Sequence, residues 1–166
     1  MLSLPARFPT PKLWLLSAIS LVLADFRSRI ELTWTMSFGT RREMLDDSLA
    51  VEFVADDFPG VSLYEPAPDW SGFKTLVLDV QNPARESLKL GVRVHDFKHK
   101  FQYGDRYNGH FDLAAGERRT LRISLEEIRH APRTRLMDMR RISDITLFRG
   151  APIGSRQLRV FKVSLE

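Results

Sequence analysis

Short runs in which apolar and polar residues alternate recur along the chain with turn-forming residues between them, the pattern of an all-β protein. Strands are predicted near residues 30–38, 48–54, 61–64, 73–81, 88–96, 107–113, 118–125, 143–149 and 156–165. Turn signals fall at Pro59-Gly60, Ser71-Gly72, Asn82-Pro83, Gly104-Asp105, Gly116 and Gly150. One short helix fits Leu125 to His130, ended ahead of Pro132 because proline disfavours helical backbone in its predecessor. Strands of this number and length favour a sandwich of two antiparallel sheets whose inner faces form the core.

Alternation also sorts side chains by face. After Gly72, Leu76, Leu78 and Val80 share one side and Thr75, Val77, Asp79 and Gln81 the other. In the following strand Leu88, Leu90, Val92 and Val94 oppose Lys89, Gly91, Arg93 and His95. From Arg118, Leu121, Ile123 and Leu125 oppose Thr120, Arg122 and Ser124. If these three strands are neighbours in one sheet, their polar sides join into a surface carrying Asp79, Gln81, Arg93, His95 and Arg122. Solvation alone explains a polar sheet face. The histidine and the paired signs of charge are what point to a ligand.

The richest chemistry follows directly, from His95-Asp96 through His99, Tyr103 and Asp105-Arg106 to Asn108. Arginine offers a planar fork of donors and aspartate two acceptors, a set that holds sugar hydroxyls or locks a loop. An Asp96–Arg106 ion pair bracing residues 97–106 is the structural alternative. Phe101 and Tyr103 could offer an aromatic face to a pyranose ring or equally cap the core. His95 and His99, with Asp105 or His110, carry donors that suit zinc, but their spacing is not a metal signature on a strand, and hydrogen bonding to a ligand is the favoured reading. Trp70 is expected in the core. The candidate binding residues are therefore Asp79, Arg93, His95, His99, Tyr103, Asp105, Arg106, Asn108 and Arg122, with no metal among them.

Composition narrows the classes. At 166 residues the chain can bury a substantial core as one domain, and it has no cysteine for a disulfide, thiolate site or thiol nucleophile. Its formal charge of +4 includes Arg41-Arg42, Arg118-Arg119 and Arg140-Arg141. These pairs sit at turns and strand ends rather than along one face, which disfavours nucleic acid as a partner. No nucleophile elbow, nucleotide fingerprint or positioned acid–base pair is present, so no enzyme is expected. Residues Leu13 to Ala24 carry no charge and follow Arg7 and Lys12. The run is too short to span a bilayer. It suits a signal peptide cleaved after Ala24, a tether remnant, or a first buried element. The first two place the chain in the cell envelope or outside the cell, the third leaves a cytoplasmic location open, and the domain proper is taken as 25–166.

The order of Asp69-Trp70-Ser71-Gly72, Asp79-Val80, Asn82-Pro83, the stretch from His95 to Asn108, and Met137-Asp138 with Ile142 resembles the galactose-binding-like jelly rolls of carbohydrate-binding modules. It is particularly similar to the soluble domain behind VanZ-like (teicoplanin-resistance) membrane proteins of bacteria. The resemblance implies a jelly-roll β-sandwich that binds a glycan without catalysis. It also allows a protein-interaction or assembly module, since the domain of complex I intermediate-associated proteins is similar. Such jelly rolls often hold a structural calcium between an acid after the opening Asp-Phe and the last strand. Here Arg27 and Phe161 stand at those positions, so that site is expected to be lost and no cofactor is implied.

Overall fold

The computed structural model describes residues 19–55 and 57–166. Arg7, Lys12 and the first part of the uncharged run, 13–18, lie outside the described residues. The part inside is a strand, β1 (Leu21–Ala24), with Leu23 and Ala24 buried. Residues 21–24, ahead of the expected start at 25, thus pair into a sheet of the sandwich. Among the described residues, no helix is long and apolar enough to cross a membrane.

Ten further strands follow: β2 (Thr35–Phe38), β3 (Thr40–Met44), β4 (Leu49–Phe53), β5 (Gly60–Tyr64), β6 (Thr75–Gln81), β7 (Leu88–Asp96), β8 (Tyr107–Leu113), β9 (Arg118–Ser124), β10 (Ile142–Arg149) and β11 (Gln157–Leu165). Among the described residues there is one α-helix, α1 (Leu125–His130), and it lies where it was expected. The strands form two antiparallel sheets, a jelly-roll β-sandwich. One has the order β3-β4-β11-β6-β9, and β1 adds to β11 beyond the reach of β4. The other is five-stranded, β2-β5-β10-β7-β8.

The alternation read from the sequence holds strand by strand. Leu76, Leu78 and Val80 of β6 and Leu88, Leu90, Val92 and Val94 of β7 all point into the core between the sheets. Trp70 is fully buried with them, its Nε1 donating to the Ala67 carbonyl at 2.7 Å. Asn82 closes the turn after β6 from inside: its side-chain amide donates to the carbonyls of Glu86, Leu113 and Ala114. A turn must satisfy its buried backbone groups, and this asparagine serves three at once.

Two strand expectations need correction. Where the sequence pattern predicts one strand over 30–38, Arg29–Trp34 forms a 3-10 turn and only Thr35–Phe38 is extended. Ser28 Oγ accepts from the Ile30 N–H, while the Thr33 and Thr35 hydroxyls donate to the carbonyls of Ile30 and Glu31. Such local bonds compete with a sheet ladder. Conversely, β3 is a strand without apolar alternation. It is the charged edge of its sheet, with Arg41 paired to Glu52, and edge strands tolerate charge that discourages further pairing.

The larger correction concerns β7. It belongs to the five-stranded sheet, whereas β6 and β9 are neighbours in the other. The polar sides of these three strands therefore do not join: they look out from opposite faces of the sandwich.

Candidate functional site

Asp79 and Arg122 lie on the outer face of the β6–β9 sheet. Asp79 takes a two-pronged contact from Arg118 at 3.0 and 2.7 Å, and Arg122 donates to Glu166 at 2.6 Å. Both are exposed ion pairs remote from Arg93 and His95, so they leave the candidate set.

The opposite outer face, on the five-stranded sheet, gathers most of the remainder. Strand register lays its side chains out in rows. The first row runs Phe38, Gly60, Phe148, Gly91, His110 across all five strands. With strands about 4.8 Å apart it is roughly 19 Å long. Both glycines are needed for close approach. A Cβ on Gly91 would overlap the end of the Phe148 ring, and one on Gly60 would meet both Phe38 and Phe148. Phe58 and His110 stand edge-on to Phe148, with centroids 6.3 and 6.1 Å away. Phe38, Phe58 and His110 are exposed.

The second row is Met36, Ser62, Thr146, Arg93, Asn108. Arg93 Nε and Nη2 donate to Thr146 Oγ1 at 3.2 and 2.9 Å, and the Thr146 hydroxyl in turn donates to Asp144 Oδ2 at 2.5 Å. A third row sets Tyr64, Asp144 and His95 side by side, with His95 Nε2 3.4 Å from Asp144 Oδ2. Asp144 is buried, and its Oδ1 has no hydrogen-bond partner among the described residues. A buried acceptor left open in an otherwise bonded network marks a place where a donor fits.

Beyond this row lies the 97–106 loop. His95 stacks on His99 with centroids 4.5 Å apart, and His99 lies 5.3 Å from Phe101. The His99 side chain is buried, and its Nδ1 donates to the Asp105 carbonyl at 3.0 Å. Burial lowers its pKa, which favours the neutral ring. Phe101 and Phe58 flank opposite ends of the face, both at positive φ, 58° and 44°. That backbone region is costly for bulky residues and is kept where the surroundings enforce it.

The loop is braced, but not by Arg106. Arg135 donates to both oxygens of Asp96 and, through Nε, to Asp105. Hydrogen bonding to Asp96 leads the effects that hold the guanidinium well above its ordinary pKa. The hydrogen bond from Arg135 is the leading effect lowering Asp105. For Asp96, burial works the other way, but bonds from Arg135 and from the N–H groups of Asp138 and Lys98 outweigh it. Both Asp105 oxygens are engaged, by Arg135 and by the Lys100 N–H. Asp105 is thus a bracing residue rather than a surface contact. Arg106 instead donates to Asn108 Oδ1 at 2.9 Å and lies 5.4 Å from the ring centre of exposed Tyr103. Together with Tyr107 these residues line a cleft of about 440 Å³.

The structure therefore brings Arg93, His95, His99, Arg106, Asn108 and Tyr103 to one side of one sheet. Sequence reading missed Phe38, Phe58, Tyr64, Phe148, Ser62, Asp144 and Thr146, and gave His110 only a metal role. His110 lies in the aromatic row, apart from the His95–His99 pair. Among the described residues, no group of three or more histidine, aspartate or glutamate side chains is placed to hold a metal ion. Arg27 pairs weakly with Asp25, and Phe161 lies under the Arg118 guanidinium.

No protein-family model matches the chain, and neither does any curated protein. Solved structures do. The family 11 carbohydrate-binding module from Clostridium thermocellum, in complex with a β-1,3-1,4-mixed-linked tetrasaccharide, matches with a TM-score of 0.66 and 13% identity, covering 90% of this chain and 96% of that one. A variant of a family 29 carbohydrate-binding module matches at TM-score 0.63 and 12% identity over 90% of this chain and 92% of that one. An agarase matches at TM-score 0.68 and 14% identity, over 89% of this chain but only 24% of the agarase. The chain thus shares the jelly-roll fold of carbohydrate-binding modules.

Proposed function

We propose that this chain is a non-catalytic carbohydrate-binding module that holds a glycan on the outer face of its five-stranded sheet. The observation that carries this reading is the row Phe38–Gly60–Phe148–Gly91–His110, lying beside the hydrogen-bonding row of Ser62, Thr146, Arg93 and Asn108. A pyranose ring has an apolar side that packs on aromatic rings and a rim of hydroxyls that needs donors and acceptors, and this face offers both. The likeness to carbohydrate-binding modules supports the reading through the fold alone. An envelope or exported location belongs to the same proposal and rests on the uncharged segment 13–24, and an association with VanZ-like membrane proteins rests on the sequence resemblance.

A protein-interaction module is the second reading, favoured by Met36, Phe38 and Phe58, which are exposed on the same face. A glycan-array screen of the purified chain, followed by titration of the best ligand against Phe148→Ala, separates the two. Binding that weakens in the variant supports the module. No binding to any glycan favours the protein partner.

A further inference from the structure

One edge of the face carries more positive charge than its own carboxylates balance. Arg106 ends the loop and Arg93 lies in β7 directly opposite Asn108. Arg106 donates to Asn108, and among the described residues no carboxylate reaches ion-pair distance of it. Arg93 is 3.8 Å from Asp144, whose one engaged oxygen also serves His95, Ser62 and Thr146. Asp105 is committed to Arg135. Glu127 lines the same cleft as Arg106 but is turned to the Tyr107 hydroxyl, where burial first and this carboxylate second push the phenol up to about 12. Arg133 and His130 line the cleft as well. The two guanidiniums also feel each other: burial, then the Arg93 charge, lower the pKa of Arg106. Two half-buried like charges raise each other's cost, and an anion placed between them removes it.

The neighbouring aromatic row gives such an anion its context. His110 is two residues from Asn108 on β8, and Phe148 two from Thr146 on β10, a step of about 6.7 Å along the strands. A sugar ring packed on Phe148 and His110 would present a substituent towards the arginine pair. We infer that the glycan bound here is acidic, and that its anionic group, a uronate carboxylate or a sulfate ester, is clamped between Arg106 and Arg93. This rests on the carbohydrate-binding reading and narrows it. Arginine forks match planar and tetrahedral oxyanions with paired, charge-assisted hydrogen bonds, which are stronger than those they make to the neutral hydroxyls of a sugar.

Calorimetric titration tests it, using oligosaccharides of a polyuronate, of a sulfated galactan, and of a neutral galactan and a neutral mixed-linked glucan. At least one anionic series should bind about tenfold or more tightly than the neutral ones. Which of them does so tells carboxylate from sulfate, and the preference should shrink with rising salt. Arg106→Gln and Arg93→Gln should each remove most of that preference. Arg41→Gln, the same charge loss on the opposite sheet, should keep it. The thermal midpoint of Arg106→Gln, expected to match the parent, excludes misfolding as the cause. Neutral glycans binding as tightly as anionic ones would overturn the inference and leave the carbohydrate reading standing. So would anionic binding indifferent to both substitutions. If no glycan in any arm binds, both fall together.

Discussion

Arg135 and Asp96 meet as fork to fork, Nη1 to Oδ2 at 2.6 Å and Nη2 to Oδ1 at 2.8 Å, with Asp96 almost wholly buried at 1% exposure. The same guanidinium reaches Asp105 through Nε, so one side chain ties the end of β7 to the far end of the loop beside the binding face. The loop's shape, and with it the placing of His99, Phe101 and Arg106, depends on that tie.

Removing it should be expensive. Arg135→Ala leaves Asp96 buried without its counter-ion, and breaking one side of a buried pair costs about 3–5 kcal/mol. Urea denaturation should show a loss of that order. A change within a few tenths of a kcal/mol would mean that water or another cation replaces the guanidinium.

The same pairing sets a pH dependence. The Asp96 and Asp105 pKa values are both lowered in the folded state. The unfolded chain, with carboxylates near pKa 3.9, therefore binds more protons than the folded chain as the pH falls. Their contribution is complete above about pH 4 to 5 and is lost as the pH drops through the folded values. Stability measured against pH should fall on acidification, and the fall should be shallower in Arg135→Ala, where the part of both shifts that Arg135 supplies is gone. Parallel curves for the two proteins would show that other carboxylates set the acid limit.

Trp70 offers a test of the core. It is fully buried, and Trp70→Ala should destabilise by about 3–5 kcal/mol, the range for emptying a large aromatic site. A variant that melts like the parent would contradict that burial.

Calcium can be tested without mutation. Arg27 and Phe161 stand where the related jelly rolls are expected to supply ligands. A chelator should leave the melting temperature unchanged, because no ligand of the folded state is withdrawn. A drop reversed by added calcium would show that a site survives with other residues.

How far these features could be read from sequence differs by kind. Period-two alternation placed Leu76, Leu78 and Val80 in the core and Arg93 and His95 on the outer side of their strand, because side-chain direction along a strand is a local property. Sheet membership is not local. Asp79 and Arg93 share the polar phase of successive strands, yet the jelly-roll order sends β6 and β7 to different sheets. An Asp96–Arg106 pair was the expected brace because charged residues beside a turn commonly brace it, but the chain returns Arg135 to Asp96 from much further along. The aromatic row left a readable trace: Gly91 interrupts a strand otherwise rich in valine and leucine. Glycine inside a strand often marks the close approach of another group. Its partner Phe148 lies in the polar phase of β10, where no packing role called for it.

That pairing of Gly91 with Phe148 provides the sharpest test of the face. In Gly91→Ala the new methyl would overlap the end of the Phe148 ring, and the free end of a side chain can swing aside more cheaply than backbone can. The fold should therefore survive with modest destabilisation while the ring leaves its place in the row. Phe148→Ala removes the ring outright. Each substitution should weaken binding of whichever glycan the parent selects by about 0.5–1.5 kcal/mol, the range for one aromatic contact. The two act through the same ring, so the double variant should bind no worse than Phe148→Ala alone. Additive losses would mean that Gly91 contributes independently of the ring, by close backbone approach to the ligand. Unchanged affinity in all three variants would move the binding surface away from this row altogether.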